Sequence, residues 1–329
     1  MAMTRYLLKR LVYMIFVLFC VSIILFIIYS LTPGDRALLY IGGSGGMRPE
    51  IFQMMYERAV QELGLDRPMI IQYFMWMKNV VTLDFGRSMT YQTSVINVIA
   101  PPMANTLRLN LFGLAFTFAI TIPLGIISAA RKGKIFDNVI QVVTILGYSL
   151  PNFIFCLIFI ALFSVHWNLF PVAGTFTIGF EGTPFEMFMD RMWYMALPLG
   201  VFVFSSLGAY TRYVRAAMID ALRMDYIRTA RAKGLREKVV IYSHAFRNSL
   251  IPVVTIVAGA LGSIFGGSMI IETIFSWGGV GRYMFDALMQ RDFNISFAVT
   301  LFYVLLTLIS NFIMDISYSL VDPRVKAIS

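Results

Sequence analysis

The sequence predicts an all-α integral membrane protein with six transmembrane helices and a helical external segment after the first. Three observations support this. Of 329 residues, 58% are hydrophobic and 14% charged, and mean hydropathy is +0.75, a composition that leaves a soluble fold short of polar surface. Six windows, residues 11–31, 109–130, 138–163, 192–211, 248–271 and 293–314, contain no Asp, Glu, Lys or Arg. Each can cross about 30 Å of hydrocarbon at ~1.5 Å per residue, and a helix satisfies its own backbone there. Basic residues also alternate with sidedness. Arg5, Lys9 and Arg10 precede the first window, Arg131, Lys132 and Lys134 follow the second, and Arg324 and Lys326 follow the sixth. Nine basic residues and three acids lie between Arg212 and Arg247, whereas the alternate loops hold Arg191, or Arg282 and Arg291. This pattern places both termini in the cytoplasm, as an even number of spans requires. It assigns the net charge of +9 to membrane sidedness and not to nucleic acid.

Residues 1–31 form a cytoplasmic N-terminus and the first helix, too long and apolar for a cleaved signal and read as a retained anchor. Residues 32–106 hold six basic and six acidic residues, a glycine-rich turn at 42–46, a stretch of mixed polarity at 50–63 ended by Leu65, Asp66, Arg67 and Pro68, and an apolar stretch at 69–77 that Lys78 breaks too soon to span. They predict an extracytoplasmic cap whose amphipathic helices lie on the membrane surface. Residues 107–320 form the core of helices two to six, and 321–329 a cytoplasmic tail. In helix three, Gly147, Tyr148, Ser149, Leu150, Pro151 and Asn152 predict a kink, serving either packing or a pore lined by Ser149 and Asn152. In helix five, Ala258, Gly262 and Gly266 recur at four-residue spacing, which suits close helix packing, or a place at the subunit interface or along the pathway, with Gly266 a pore-lining candidate. Cys20 and Cys156 fall inside spans as packing residues, and His166 and His244 lack metal-ligand spacing. No metal site is predicted.

The loop at 212–248 is the most informative stretch. Met218, Leu222, Tyr226 and Ala230 recur every fourth residue, predicting one helical face across a short helix at about 222–234. Arg223, Arg228, Arg231 and Lys233 surround that stripe, and Gly234 follows where a left-handed residue commonly ends a helix. Such a helix can lie on anionic lipid, face solvent, or dock into another protein.

Arg-Thr-Ala-Arg-Ala-Lys-Gly-Leu at 228–235, then His-Ala-Phe-Arg-Asn-Ser-Leu-Ile-Pro at 244–252, resembles the coupling loop of binding-protein-dependent ABC permeases. The similarity is to the first permease of dipeptide and oligopeptide importers, a group that includes nickel and glutathione systems. It extends along most of the chain. Thr-Pro-Gly-Asp at 32–35, Leu-Gly-Leu-Asp-Arg-Pro at 63–68 and Asp-Phe-Gly-Arg-Ser at 84–88 match that branch. So do Asn-Thr-Leu at 105–107, opening helix two, and Glu-Thr-Ile-Phe-Ser-Trp at 272–277, closing helix five. Arg-Asp-Phe at 291–293 and Asp-Pro-Arg at 322–324 complete the series. Permeases more broadly have Glu-Ala-Ala where Arg228, Thr229 and Ala230 stand, a departure that favours the peptide branch. Trp277 is followed by Gly-Gly-Val-Gly where relatives often have Pro-Gly-Leu-Gly.

The resemblance implies a type I ABC importer permease in a bacterial inner or plasma membrane, forming half of a peptide pore. Leu222, Tyr226, Arg228, Thr229, Ala230, Arg231, Ala232, Lys233 and Gly234 would form the ATPase-coupling loop. The partners it implies are a second homologous permease, two ATP-binding subunits and an extracytoplasmic peptide-binding protein. No cofactor is expected on this chain. The pattern G-x-x-x-x-G-K-[ST] is absent from the sequence, so ATP and Mg would be held by the partner subunits. Nickel chelates, glutathione and oligosaccharides remain open as alternative substrates. The competing reading is an ion-driven secondary transporter in which Glu272 and Asp315 relay protons, Glu272 being also a candidate for the pore lining. No Ser/His, paired-Asp or H-E-x-x-H constellation within the spans suggests an enzyme.

Overall fold

The computed structural model describes residues 2–31, 35–41, 48–261 and 269–321. Gly262, Gly266 and the motifs at 32–34 and 322–324 lie outside the described residues, as does the side chain of Asp315. All the described elements are helical, apart from an isolated bridge between Arg87 and Ser94. They are α1 (Ala2–Leu31), α2 (Arg36–Tyr40), α3 (Pro49–Leu63), α4 (Met69–Val81), α5 (Val95–Ala130), α6 (Ile135–Ser149) and α7 (Asn152–Phe159). A π-helical turn, Ile160–His166, continues α7. There follow α8 (Pro184–Leu222), α9 (Asp225–Ala232), α10 (Glu237–Val239), a second π-helical turn (Val240–Phe246), α11 (Arg247–Leu261), α12 (Met269–Ile274), α13 (Val280–Met289) and α14 (Phe293–Val321).

Four described helices are long and apolar enough to cross a membrane: Leu8–Leu31, Val95–Ala130, Pro184–Leu222 and Phe293–Ile313. They contain the first, second and fourth predicted windows and all but the last residue of the sixth. The third window is not one helix. Leu150 and Pro151 are both extended, with ψ of 140° and 142°, and α6 meets α7 at 108°. The ring of Pro151 disfavours helical geometry at Leu150, so the chain turns there in place of a mild kink. The fifth window is helical to Leu261 and again from Met269. The described helices therefore account for four spans, or five with the bent pair counted as one, against the six expected.

Helix α5 opens at Val95, not at Asn105, so the expected boundary at 106 falls inside a continuous 36-residue helix. Pro101 and Pro102 lie within its second turn, where each lacks the N–H that would bond the carbonyl four residues back, at Asn97 and Val98. Helix α4 also packs against α1. The Tyr73 hydroxyl of α4 lies 2.8 Å from Ser22 Oγ, and its ring packs edge-on against Phe19 and Phe26 of α1. Ser22 is nine residues, or ~14 Å, inside the end of α1 at Leu31, so α4 packs down along the first helix. Helix α3 follows its sequence signals, with Pro49 at the first helical position and Gly64 in the left-handed region closing it through Leu65 N–H to Val60 O.

The core is built on α8. Thr183 and Glu186 form a reciprocal capping box at its start, and Pro184 takes the first helical position. Helices α5 and α8 run side by side in the same direction, their C-terminal ends meeting in one hydrophobic cluster. Helix α6 runs antiparallel to α8. Gly208 makes that crossing possible, because an added Cβ would stand 2.5 Å from the Thr144 carbonyl oxygen. Gly208→Ala is expected to force the backbones apart at a cost of about 1–3 kcal/mol, read as a lowered unfolding midpoint in detergent.

Candidate functional site

The segment after α8 forms a short helical projection. Helix α8 ends at Leu222, and Arg223 and Met224 turn the chain before α9 begins at Asp225. The expected stripe through Met218, Leu222, Tyr226 and Ala230 is therefore broken, since the four-residue period does not survive the turn. The inward face of α9 is Ile227 and Ala230 instead. These two residues join Ile126 and Ala129 of α5, Val214, Met218 and Ala221 of α8, Val240 and Ala245 of the π-helical turn, and Val253 of α11. Full burial of a side chain such as Ile227 contributes about 1.5–3 kcal/mol, enough to hold an eight-residue helix that would not persist alone.

Everything else on α9 faces outward. Tyr226 is 39% exposed, and Arg228, Thr229, Arg231, Ala232, Lys233 and Gly234 are exposed, whereas Leu222 is half-buried on α8. Gly234 has φ of +74°, and an added Cβ would meet no atom within 4 Å. Arg231 closes the turn around this glycine by donating Nε and Nη2 to the Glu237 carboxylate, at 3.2 and 2.7 Å. That hydrogen bonding holds the Glu237 carboxyl below its ordinary range. The pair's contribution is present above the range of an unfolded glutamate and is lost as pH falls through the folded value. Both side chains are about half exposed, so the contribution is under ~1 kcal/mol.

A buried ion pair fixes the base of this projection. Asp137, in the first turn of α6, is 1% exposed and receives Arg215 Nε and Nη2 of α8, both at 2.7 Å. Gly133 N–H donates at 2.9 Å and Ser128 Oγ donates to the same carboxylate. The ends of α5 and α6 and the last turns of α8 are thereby joined seven residues before α8 ends. Sequence reasoning missed this pair, because 78 residues separate its members. The one local signal is a lone carboxylate beside the basic cluster at 131–134.

At the other end of α5 and α8, two pairs of sequence motifs meet. Thr106 Oγ1 donates to Glu272 Oε1 at 2.9 Å and accepts from Val280 N–H at 2.8 Å. Glu272 Oε2 accepts the N–H groups of Gly281 and Arg282 at the start of α13, at 2.7 and 3.2 Å. Glu272, a candidate for the pore lining, is fully buried and acts as a helix cap supplied from α12. Trp277 Nε1 donates to Asn105 O, and Asn105 Nδ2 donates to Gly278 O. Likewise Asp292, fully buried, accepts from Ser88 Oγ at 2.5 Å and Thr90 N–H at 3.1 Å, and Asn294 Nδ2 donates to Arg87 O. Ser149 and Asn152 sit exposed at the sharp turn between α6 and α7, the two pore candidates that are accessible among the described residues.

This geometry, a helical bundle with a basic projection at one end and a clasped cap at the other, meets its match in known proteins. Residues 121–327 match the family described as binding-protein-dependent transport system inner membrane component, and residues 3–109 match its N-terminal region. This chain belongs to that family. The oligopeptide transport system permease protein AppB of Bacillus subtilis is 37% identical over 325 residues, covering 98% of this chain and all of the relative. The dipeptide transport system permease protein DppB of Escherichia coli K12 is 34% identical over 345 residues, covering 98% and 99%. Among solved structures, the inward-facing MetNI methionine ABC transporter superposes with a TM-score of 0.54 at 16% identity, over 69% of this chain and 97% of that one. The protein thus has the fold of an ABC importer's inner membrane component, and Thr106–Glu272 and Ser88–Asp292 join motifs that contribute to the sequence resemblance.

Proposed function

We propose that this protein is the membrane-spanning half-pore subunit of an ATP-driven importer of dipeptides and oligopeptides. The observation that supports it most is full-length similarity to peptide permeases combined with an exposed basic projection welded to the bundle by Ile227 and Ala230. In this reading α9 docks on an ATP-hydrolysing subunit, with Tyr226, Arg228, Thr229, Arg231 and Lys233 presented to it. Closure of two such subunits around ATP moves the projection, and the shared cluster passes that motion to α5, α8 and α11, giving alternating access. A second homologous permease completes the pore, an extracytoplasmic binding protein delivers peptide to the cap, and both termini are cytoplasmic. Ser149 and Asn152 are the pore-lining residues of this reading.

The ion-driven alternative needs a carboxylate poised to exchange protons with a pathway, and the hydrogen bonds of Glu272 to Thr106, Gly281 and Arg282 tie it to a structural task. The discriminating experiment is peptide uptake by the complete complex in proteoliposomes. Uptake should persist when the proton gradient is collapsed and stop when ATP is withheld. The opposite pattern would refute the reading.

A further inference from the structure

At the end of the bundle opposite the basic projection, a cleft of about 390 Å³ lies between the start of α8, the outer part of α5 and the turn after α12. Its walls are apolar, formed by Phe112, Met187, Phe188, Met192, Met195 and Trp277. Its volume falls within the ~300–1,000 Å³ of small-molecule sites. Two cations line it, Arg108 and Arg191, and no carboxylate does. Among the described residues neither guanidinium is paired with an acid. Arg108 donates to Asn105 Oδ1, and Arg191 lies over the Phe176 ring at 5.8 Å. The nearby acids are engaged elsewhere, Glu186 by Thr183 and Asp190 by Thr177 N–H and Oγ1. The neutral polar groups of the wall satisfy one another through Trp277 to Asn105, Asn105 to Gly278, and Gly278 to Thr175.

We propose that this cleft is a binding site for the C-terminal residue of an apolar peptide, its carboxylate held by Arg108 and Arg191 and its side chain among the methionines. The proposal rests on the peptide-importer reading and adds a substrate class to it. Guanidinium recognises carboxylate through paired, charge-assisted hydrogen bonds, and two guanidiniums with no carboxylate in the cleft wall disfavour a peptide's free amino end. Thioether side chains adapt to apolar groups of different shape, as a carrier of many peptides requires. The cleft lies ~27 Å along α5 from Ile126, where the helix meets the basic projection, so it stands at the far mouth of the bundle.

The test uses the complete complex in nanodiscs, without binding protein, and a leucyl-photoleucine dipeptide carrying a free carboxylate or a C-terminal amide. Photolabelling mapped by mass spectrometry should fall on residues 187–195 and 277 with the acid, and be at least tenfold weaker with the amide. Arg108→Gln with Arg191→Gln should reduce acid labelling to the amide level in complexes that still co-purify with their ATPases, while Arg108→Lys with Arg191→Lys restores part of it. Equal labelling by acid and amide in the unsubstituted complex would overturn the proposal, whether or not the variants fold. So would labelling abolished by exchanging phosphatidylcholine for phosphatidylglycerol, which assigns the cleft to anionic lipid. Absence of ATP-driven peptide uptake by the unsubstituted complex in proteoliposomes supplied with its binding protein would instead defeat the importer reading itself.

Discussion

Arg215→Ala is expected to destabilise the protein by about 3–5 kcal/mol, several times the worth of an exposed ion pair. The reason is the state of Asp137 afterwards. Its carboxylate is 1% exposed, and without Arg215 it keeps only Ser128 Oγ and Gly133 N–H as partners for a full negative charge. Removing one member of a buried pair leaves an uncompensated charge, which costs far more than the net worth of the pair. Two further variants separate these quantities. Arg215→Lys keeps the charge but not the two-pronged contact through Nε and Nη2, so an intermediate loss is expected. Replacing both residues by leucine should cost less than Arg215→Ala alone. Denaturant or thermal unfolding of the detergent-solubilised protein measures all three. An Arg215→Ala midpoint indistinguishable from the parent would mean that the ion pair does not anchor the base of α9.

Gly234→Asp should leave a folded, membrane-inserted complex whose peptide uptake falls at least tenfold while ATP hydrolysis continues uncoupled. Gly234 has φ of +74° with open space around it. A Cβ therefore meets no neighbour within this chain, and the cost of the left-handed backbone is about 1–2 kcal/mol, below the stability of a folded domain. The damage is expected at the docked surface, where a new side chain and a negative charge enter beside Arg231 and Lys233. Gly234→Asn tolerates the same backbone without the charge and should retain more transport than Gly234→Asp. Uptake and ATPase rates in reconstituted liposomes separate the outcomes. Unchanged transport by Gly234→Asp would remove this turn from the coupling surface.

The bundle was legible where the signal was local. Charge-free windows predict α1, α5, α8 and α14, because hydrocarbon demands an uninterrupted apolar helix of a given length. Gly234 was recognisable as a helix terminator from its place after Lys233, and Pro151 as a disruption of the third window. The size of that disruption was not legible. A proline dictates which backbone angles its neighbour avoids, whereas the 108° turn depends on what α7 packs against, including Phe155 and Cys156 buried beside Leu197 and Val201. The stripe through Leu222 and Tyr226 failed for a related reason. Four-residue spacing assumes one continuous helix, and the end of α8 at Leu222 rotates α9 so that Ile227 faces inward.

The amino-acid order by itself determined the membrane setting, the helical class and the position of the exposed basic segment, all of which follow from composition within a few turns of chain. Tertiary structure alone decided which charges are consumed inside the fold. Asp137 meets Arg215, Thr106 meets Glu272, and Ser88 meets Asp292, across 78, 166 and 204 residues. A carboxylate's role depends on the partners that desolvation forces upon it, and no local period records a partner so far along the chain.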